Sequence, residues 1–162
     1  MKEKRLKELF FKRKISRIGE LEIERYINFF QNSYKDDLAH ANENVDKFPR
    51  WSIISGYYAM HDMAKLFIAK KFRIKILKEV HSTTIKVMRI VGERKDLVRL
   101  LEIGYKEFKE LIEGLEVAKR ERVKVQYYTG TPYLESLYKK RAKEFLENVV
   151  KPFIQKMERL IE

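Results

Sequence analysis

At 162 residues and 44% hydrophobic content, the chain can bury one core, and residues 1–162 are expected to form a single domain. The absence of cysteine excludes a disulfide scaffold, a thiolate nucleophile and a Cys-ligated metal; no stretch approaches the roughly 18 apolar residues of a membrane span, so a cytoplasmic protein without membrane contact is expected. A net charge of +12 attracts polyanions without naming one, and it also suits a merely solvated surface.

Six glycines and three prolines against 37% charged residues favour helices over a turn-rich β fold. Lys2 to about Arg17 holds eight basic residues against Glu3 and Glu8, with Leu6, Leu9 and Phe10 to one side, which predicts a basic amphipathic helix over about 2–17. After Gly19, the positions Ile27, Phe30, Tyr34, Leu38, Ala41, Val45 and Phe48 step by three or four, the period of one helix face. Pro49 suits the first turn of a new helix, and Trp51 to Lys71 is apolar nearly all round, which places that helix in the middle of a bundle.

A shorter helix is expected from about Glu79 to Val91, ending near Gly92. A longer one carries Leu97, Leu101, Gly104, Phe108, Leu111, Leu115 and Ala118 on one stripe, where Gly104 implies a close helix contact. Gly130, Thr131 and Pro132 read as a helix stop followed by a helix start. The last helix, from Leu134 to Leu160, contains Pro152, which removes a backbone donor and should kink or split it. Five to six helices with short connections predict an all-α, up-and-down helical bundle.

Most catalytic signatures are missing. His40, His61 and His81 have no metal-ligand spacing, and there is neither a Gly-rich phosphate loop nor a nucleophile elbow, so no metal and no cofactor are expected. Asp36-Asp37 reads as a solvated acidic pair or as an acid/base or metal site. His61 shares a helix line with Ile54, Tyr57, Ala64 and Ile68, which suits a core histidine with a satisfied ring as well as a ligand or catalytic group. His81 opens its helix in EVHSTT, either as an ordinary helix-start residue or as a site residue at a bundle end.

The stretch RERVKVQYY, residues 120–128, raises a sharper question. If the preceding helix continues through it, a rotation of about 100° per residue sets Arg122 roughly 20° from Leu115 and Arg120 roughly 140° away. Arg122 then faces the bundle and Arg120 faces water. Gln126 lies one turn beyond Arg122 on the same face, and an inward guanidinium there needs a carboxylate, a second chain or a phosphate as partner.

Together, WSIISGYYAMHDMAKLFIAKKF, the His in EVHSTTIKVM, RERVKVQYY and the last helix YLESLYKKRAKEFLENVVKPFI resemble the HEPN superfamily, especially its small stand-alone prokaryotic members, over the chain from about Leu38 onward. The resemblance implies a helical bundle, usually a homodimer, with RNA-binding or endoribonuclease roles and frequent pairing with a minimal nucleotidyltransferase in toxin–antitoxin operons. It further implies a nuclease signature of Arg followed after four to six residues by His, to which Arg122 corresponds. This chain departs from that pattern: Tyr127, Tyr128 and Thr129 stand where the His would be, with Gln126 just before them. Glutamine and tyrosine bind phosphates and bases but do not replace imidazole as a base near neutral pH.

The expected function is therefore binding of RNA or a nucleotide at a basic cleft with a degenerate nuclease motif. Arg120, Arg122, Lys124, Gln126, Tyr127, Tyr128, Lys139, Lys140 and Arg141 would contribute to binding, and Arg122, His81 and His61 to any residual catalysis. A second basic cluster, Lys70-Lys71-Arg73-Lys75-Lys78, could join the same surface or form a solvated helix end. Two alternatives stand beside this reading: a non-catalytic module that docks an acidic protein, and a weak metal-independent endoribonuclease.

Overall fold

In chain order the elements are α1 (Lys2–Phe11), β1 (Ile15–Arg17), α2 (Ile23–Asn44), α3 (Pro49–Phe72), β2 (Ile74–Ile76), α4 (Val80–Val91), α5 (Lys95–Glu121), α6 (Pro132–Phe145) and α7 (Lys151–Ile161), with a π-helical turn over Leu146–Val150. This computed structural model describes the backbone of residues 1–121 and 132–162 and the side chains of 1–114 and 136–162. The fold is an all-α, up-and-down helical bundle carrying one two-stranded ribbon.

Helix α3 occupies the centre because its sequence leaves it no polar face to turn outward. Tyr57, Met60, Met63, Leu66 and Ile68 are sealed in the core, while Ser52, Ser55, His61 and Asp62 are polar groups buried with them. Two glycine contacts set how closely the other helices approach. A Cβ on Gly104 of α5 would lie 2.9 Å from Met60 Sδ, which bears out the close contact expected there, and one on Gly56 would meet Val150 and Leu146 at 3.1 and 3.2 Å.

The final rod is continuous but not regular. Pro152 has no N–H to offer the turn before it, and the Lys151 N–H reaches back five residues to the Leu146 carbonyl, so the helix widens into the π turn. Val150, Phe153, Ile154 and Met157 still reach the core across this irregularity.

The N-terminal segment corrects the sequence-based expectation. The helix expected over about 2–17 stops at Phe11, and Ile15–Arg17 pairs antiparallel with Ile74–Ile76 in the register Ile15↔Ile76, Ser16↔Lys75, Arg17↔Ile74. Arg13 takes the left-handed conformation (φ 51°), its N–H bonds the Phe10 carbonyl and the Lys14 N–H bonds the Leu9 carbonyl, the pairing that closes a helix through a residue at positive φ. Arg73 ends α3 in the same conformation (φ 53°). Burial of Ile15, Ile74 and Ile76 outweighs the roughly 1–2 kcal/mol that each left-handed arginine costs.

Candidate functional site

Aromatic and imidazole rings meet where α3, α4 and α5 come together. Tyr57, Tyr58 and His61 follow one another along α3, His81 stands in the first turn of α4, and Tyr105 and Phe108 flank the glycine contact on α5. The His61 and His81 rings lie 4.8 Å apart, so two histidines separated in sequence by the rest of α3 and strand β2 become neighbours. His81 stacks on Tyr105 at 5.5 Å with ring planes 12° apart, and Tyr57 stacks on Phe108 at 4.7 Å.

Hydrogen bonds fix the tautomers. The Thr84 hydroxyl donates to the Val80 carbonyl at 2.7 Å, which leaves its oxygen to accept from Nε2–H of His61 at 3.2 Å. Tyr57 and His81 share a 2.7 Å hydrogen bond through Nδ1. Burial pushes the Tyr57 phenol well above its ordinary range, so it keeps its proton and donates it. His81 is held neutral by burial first, then by the charges of His61 and Lys65, and its pKa is lowered to about 4. Its remaining proton therefore sits on Nε2, the nitrogen not engaged by Tyr57.

A second polar group lies behind His61, between α2 and α3. The Ser33 hydroxyl donates to Asp62 Oδ2 at 2.6 Å, and Nδ1 of His40 pairs with the Ser55 hydroxyl at 2.6 Å. Asp37, half of the acidic pair that could have been mere surface, is raised to about 6 by burial and then by the charge of Asp62. Lys65 is lowered by burial and sets its ammonium 4.8 Å above the Phe30 ring. Among the described residues, no group of three or more acidic, His or Cys side chains is placed to hold a metal.

The ring cluster reaches the surface beside an open groove of about 310 Å³ between α4 and α5, lined by Ser82, Ile85, Lys86, Arg89, Glu102 and Tyr105. Tyr58 is 37% exposed at the edge of the cluster. The guanidinium of Arg89 is occupied by Glu102, whereas Lys86 is exposed with no carboxylate within 4.0 Å among the described residues. The groove can thus offer a ring face, the oxygen of the Ser82 hydroxyl, whose proton goes to the Glu79 carbonyl at 3.2 Å, and an ammonium that no described carboxylate engages.

Of the residues singled out in the sequence, His61 and His81 are brought together. Lys139 bonds Asp46 at 3.3 Å, and Arg141 bonds Glu107 at 2.7 Å, so both tie α6 to its neighbours. Lys140 is exposed. Arg122, Lys124, Gln126, Tyr127 and Tyr128 lie outside the described residues, as does the side chain of Arg120. Sequence reasoning placed Tyr57 and Phe108 on core stripes and passed over Tyr105, Thr84 and Lys86. The Tyr57–His61 and His81–Thr84 spacings of four and three were the available signal. Comparison with family models, with curated proteins and with solved structures gives no match to this chain.

Proposed function

We propose that this protein binds RNA or a nucleotide at the α4–α5 groove, with the Tyr105–His81 pair as a stacking surface and Lys86 as the partner of a phosphate. The observation that carries the reading is this parallel ring pair beside an exposed ammonium with no carboxylate within 4.0 Å among the described residues. A flat aromatic face accepts any base, a nearby cation accepts its phosphate, and the +12 charge draws the polyanion in. The resemblance of the α3, α4 and last-helix sequences to HEPN proteins supports the same ligand class. It adds a homodimer and a minimal nucleotidyltransferase as the partners to seek.

His81 fits this role better than that of a general base. Its Nδ1 is occupied by Tyr57, and at neutral pH its Nε2 carries the proton, so it presents a donor to a base edge or a phosphate oxygen.

Fluorescence anisotropy with a labelled oligoribonucleotide tests the reading at several salt concentrations. Binding should fall steeply with salt, and Tyr105→Ala should weaken it by about 5- to 150-fold, the range set by the loss of one stacked base. Salt-insensitive or undetectable binding would instead direct attention to an acidic protein partner. Sedimentation at micromolar concentration tests the dimer, which a monomer throughout would refute.

A further inference from the structure

The positive charge is concentrated. Residues 1–22 carry eight Lys and Arg against four Glu, and residues 70–89 carry seven against one, so these segments hold +10 of the net +12. They belong to α1, β1, the last turn of α3, β2 and α4, and the pairing of Ile15 with Ile76 fastens them together. The Leu77 and Lys78 N–H groups both reach the Lys14 carbonyl, at 2.8 and 3.3 Å, which brings the turn after α1 against the turn before α4.

Glu79 marks the centre of this pole, as the one carboxylate of residues 70–89. Lys14 pairs with it directly, and the charges of Lys86 and Lys12 also hold its carboxyl below the usual range. Cations of the turn after α1 and of α4 therefore act on a single negative charge. Arg13 and Lys78 are exposed nearby, and no carboxylate lies within 4.0 Å of either among the described residues. Lys86 belongs both to this pole and to the groove beside Tyr105.

We infer that the ligand is a polynucleotide strand rather than a mononucleotide, with one base held at the groove and its adjoining phosphates passing Lys86 onto the pole made by Arg13, Lys14 and Lys78. The inference rests on the groove reading. What it adds is a direction for the strand and a requirement for length. Cations in line with a stacking surface match a chain of phosphates, because each neutralised phosphate releases counterions and adds to affinity. A single nucleotide offers its charge at one point and gains nothing from Arg13 or Lys78.

The experiment compares labelled AMP with oligoadenylates of increasing length on the full-length protein. Affinity should climb with length. Arg13→Glu/Lys78→Glu should weaken a long strand roughly tenfold or more at about 0.1 M salt and lower the log–log salt slope by about two, while leaving AMP binding unchanged. Glu79→Gln should tighten the long strand, and Tyr105→Ala should weaken both ligands. Thermal melting of each variant separates lost binding from lost folding. AMP binding with no gain on lengthening, or a long strand indifferent to Arg13→Glu/Lys78→Glu, overturns the strand and leaves the groove standing. Binding of neither ligand removes both.

Discussion

Tyr57 and His81 come from different helices, and their 2.7 Å hydrogen bond through Nδ1 places the proton of the imidazole, which burial keeps neutral, on Nε2. That arrangement has a pH signature. A histidine whose pKa falls from 6.5 to about 4 on folding contributes stability that is complete above about 6.5 and is lost as pH falls from there to about 4, because the unfolded chain then binds the extra proton. Asp37 acts in the opposite sense: its pKa rises from 3.8 to about 6, so the folded chain takes up a proton first and acid relieves a burial cost. The two slopes oppose each other between about pH 4 and 6. Asp37→Asn should therefore raise the melting temperature at pH 8 and steepen its decline below pH 6. An unchanged melting profile would show that Asp37 is not held in a desolvated setting.

Gly104 gives a packing prediction. Its missing Cβ would stand 2.9 Å from Met60 Sδ and 3.5 Å from Tyr57 Cδ2, with Met60 fully buried. Gly104→Ala should cost about 1–3 kcal/mol by overpacking, despite alanine's better helix propensity, seen as a melting temperature lower by several degrees. Met60→Leu in that background should recover part of the loss. A more stable Gly104→Ala protein would mean that the thioether moves aside freely.

The α6 cations make two contributions that mutation can separate. Lys139 and Lys143 face Asp46, and Arg141 faces Glu107 and Glu110. Reversing Lys139, Lys140 and Arg141 together to Glu should weaken RNA binding broadly and also lower the melting temperature, since two of the three anchor α6. Lys140→Glu alone should weaken binding modestly without altering the melt. If Lys140→Glu destabilises the fold as much as the triple change, the division is wrong.

Cleavage gives the sharpest test of the HEPN resemblance. The native protein should cleave RNA poorly, since the positions expected to hold a general base carry Tyr127, Tyr128 and Thr129, and such a base typically contributes about a hundredfold to ten-thousandfold. Tyr127→His restores a spacing of four residues to Arg122 and should raise cleavage, and Arg122→Ala in that background should remove the gain. Efficient native cleavage that stops in His61→Ala or His81→Ala would instead assign the chemistry to the ring cluster.

The helices were legible because apolar period and helix period coincide: Phe30, Tyr34 and Ala41 of α2 are all buried where their spacing placed them, and Pro49 opens α3. The ribbon was not, because the left-handed turns before β1 and β2 are made by Arg13 and Arg73, where the usual marker would be glycine. Half of the site was visible for a related reason. His61 could be assigned a face from its own helix, but its proximity to His81 depends on how α3 and α4 cross, and no periodicity along one chain segment encodes that crossing.

The Ile15–Ile76 pairing also bears on the order in which the molecule assembles. It joins residues about sixty apart, whereas α2 and α3 meet through a connection of only a few residues and gain their contacts at small entropic cost. The α2–α3 hairpin should form early and the three-residue ribbon late, on a scaffold already in place. Amides of Ile15–Arg17 and Ile74–Ile76 should then exchange with solvent through local openings that leave α3 protected. The concentrated positive charge would exist as a surface only once that last closure is made, so loss of the ribbon would disperse it while the helical core endures.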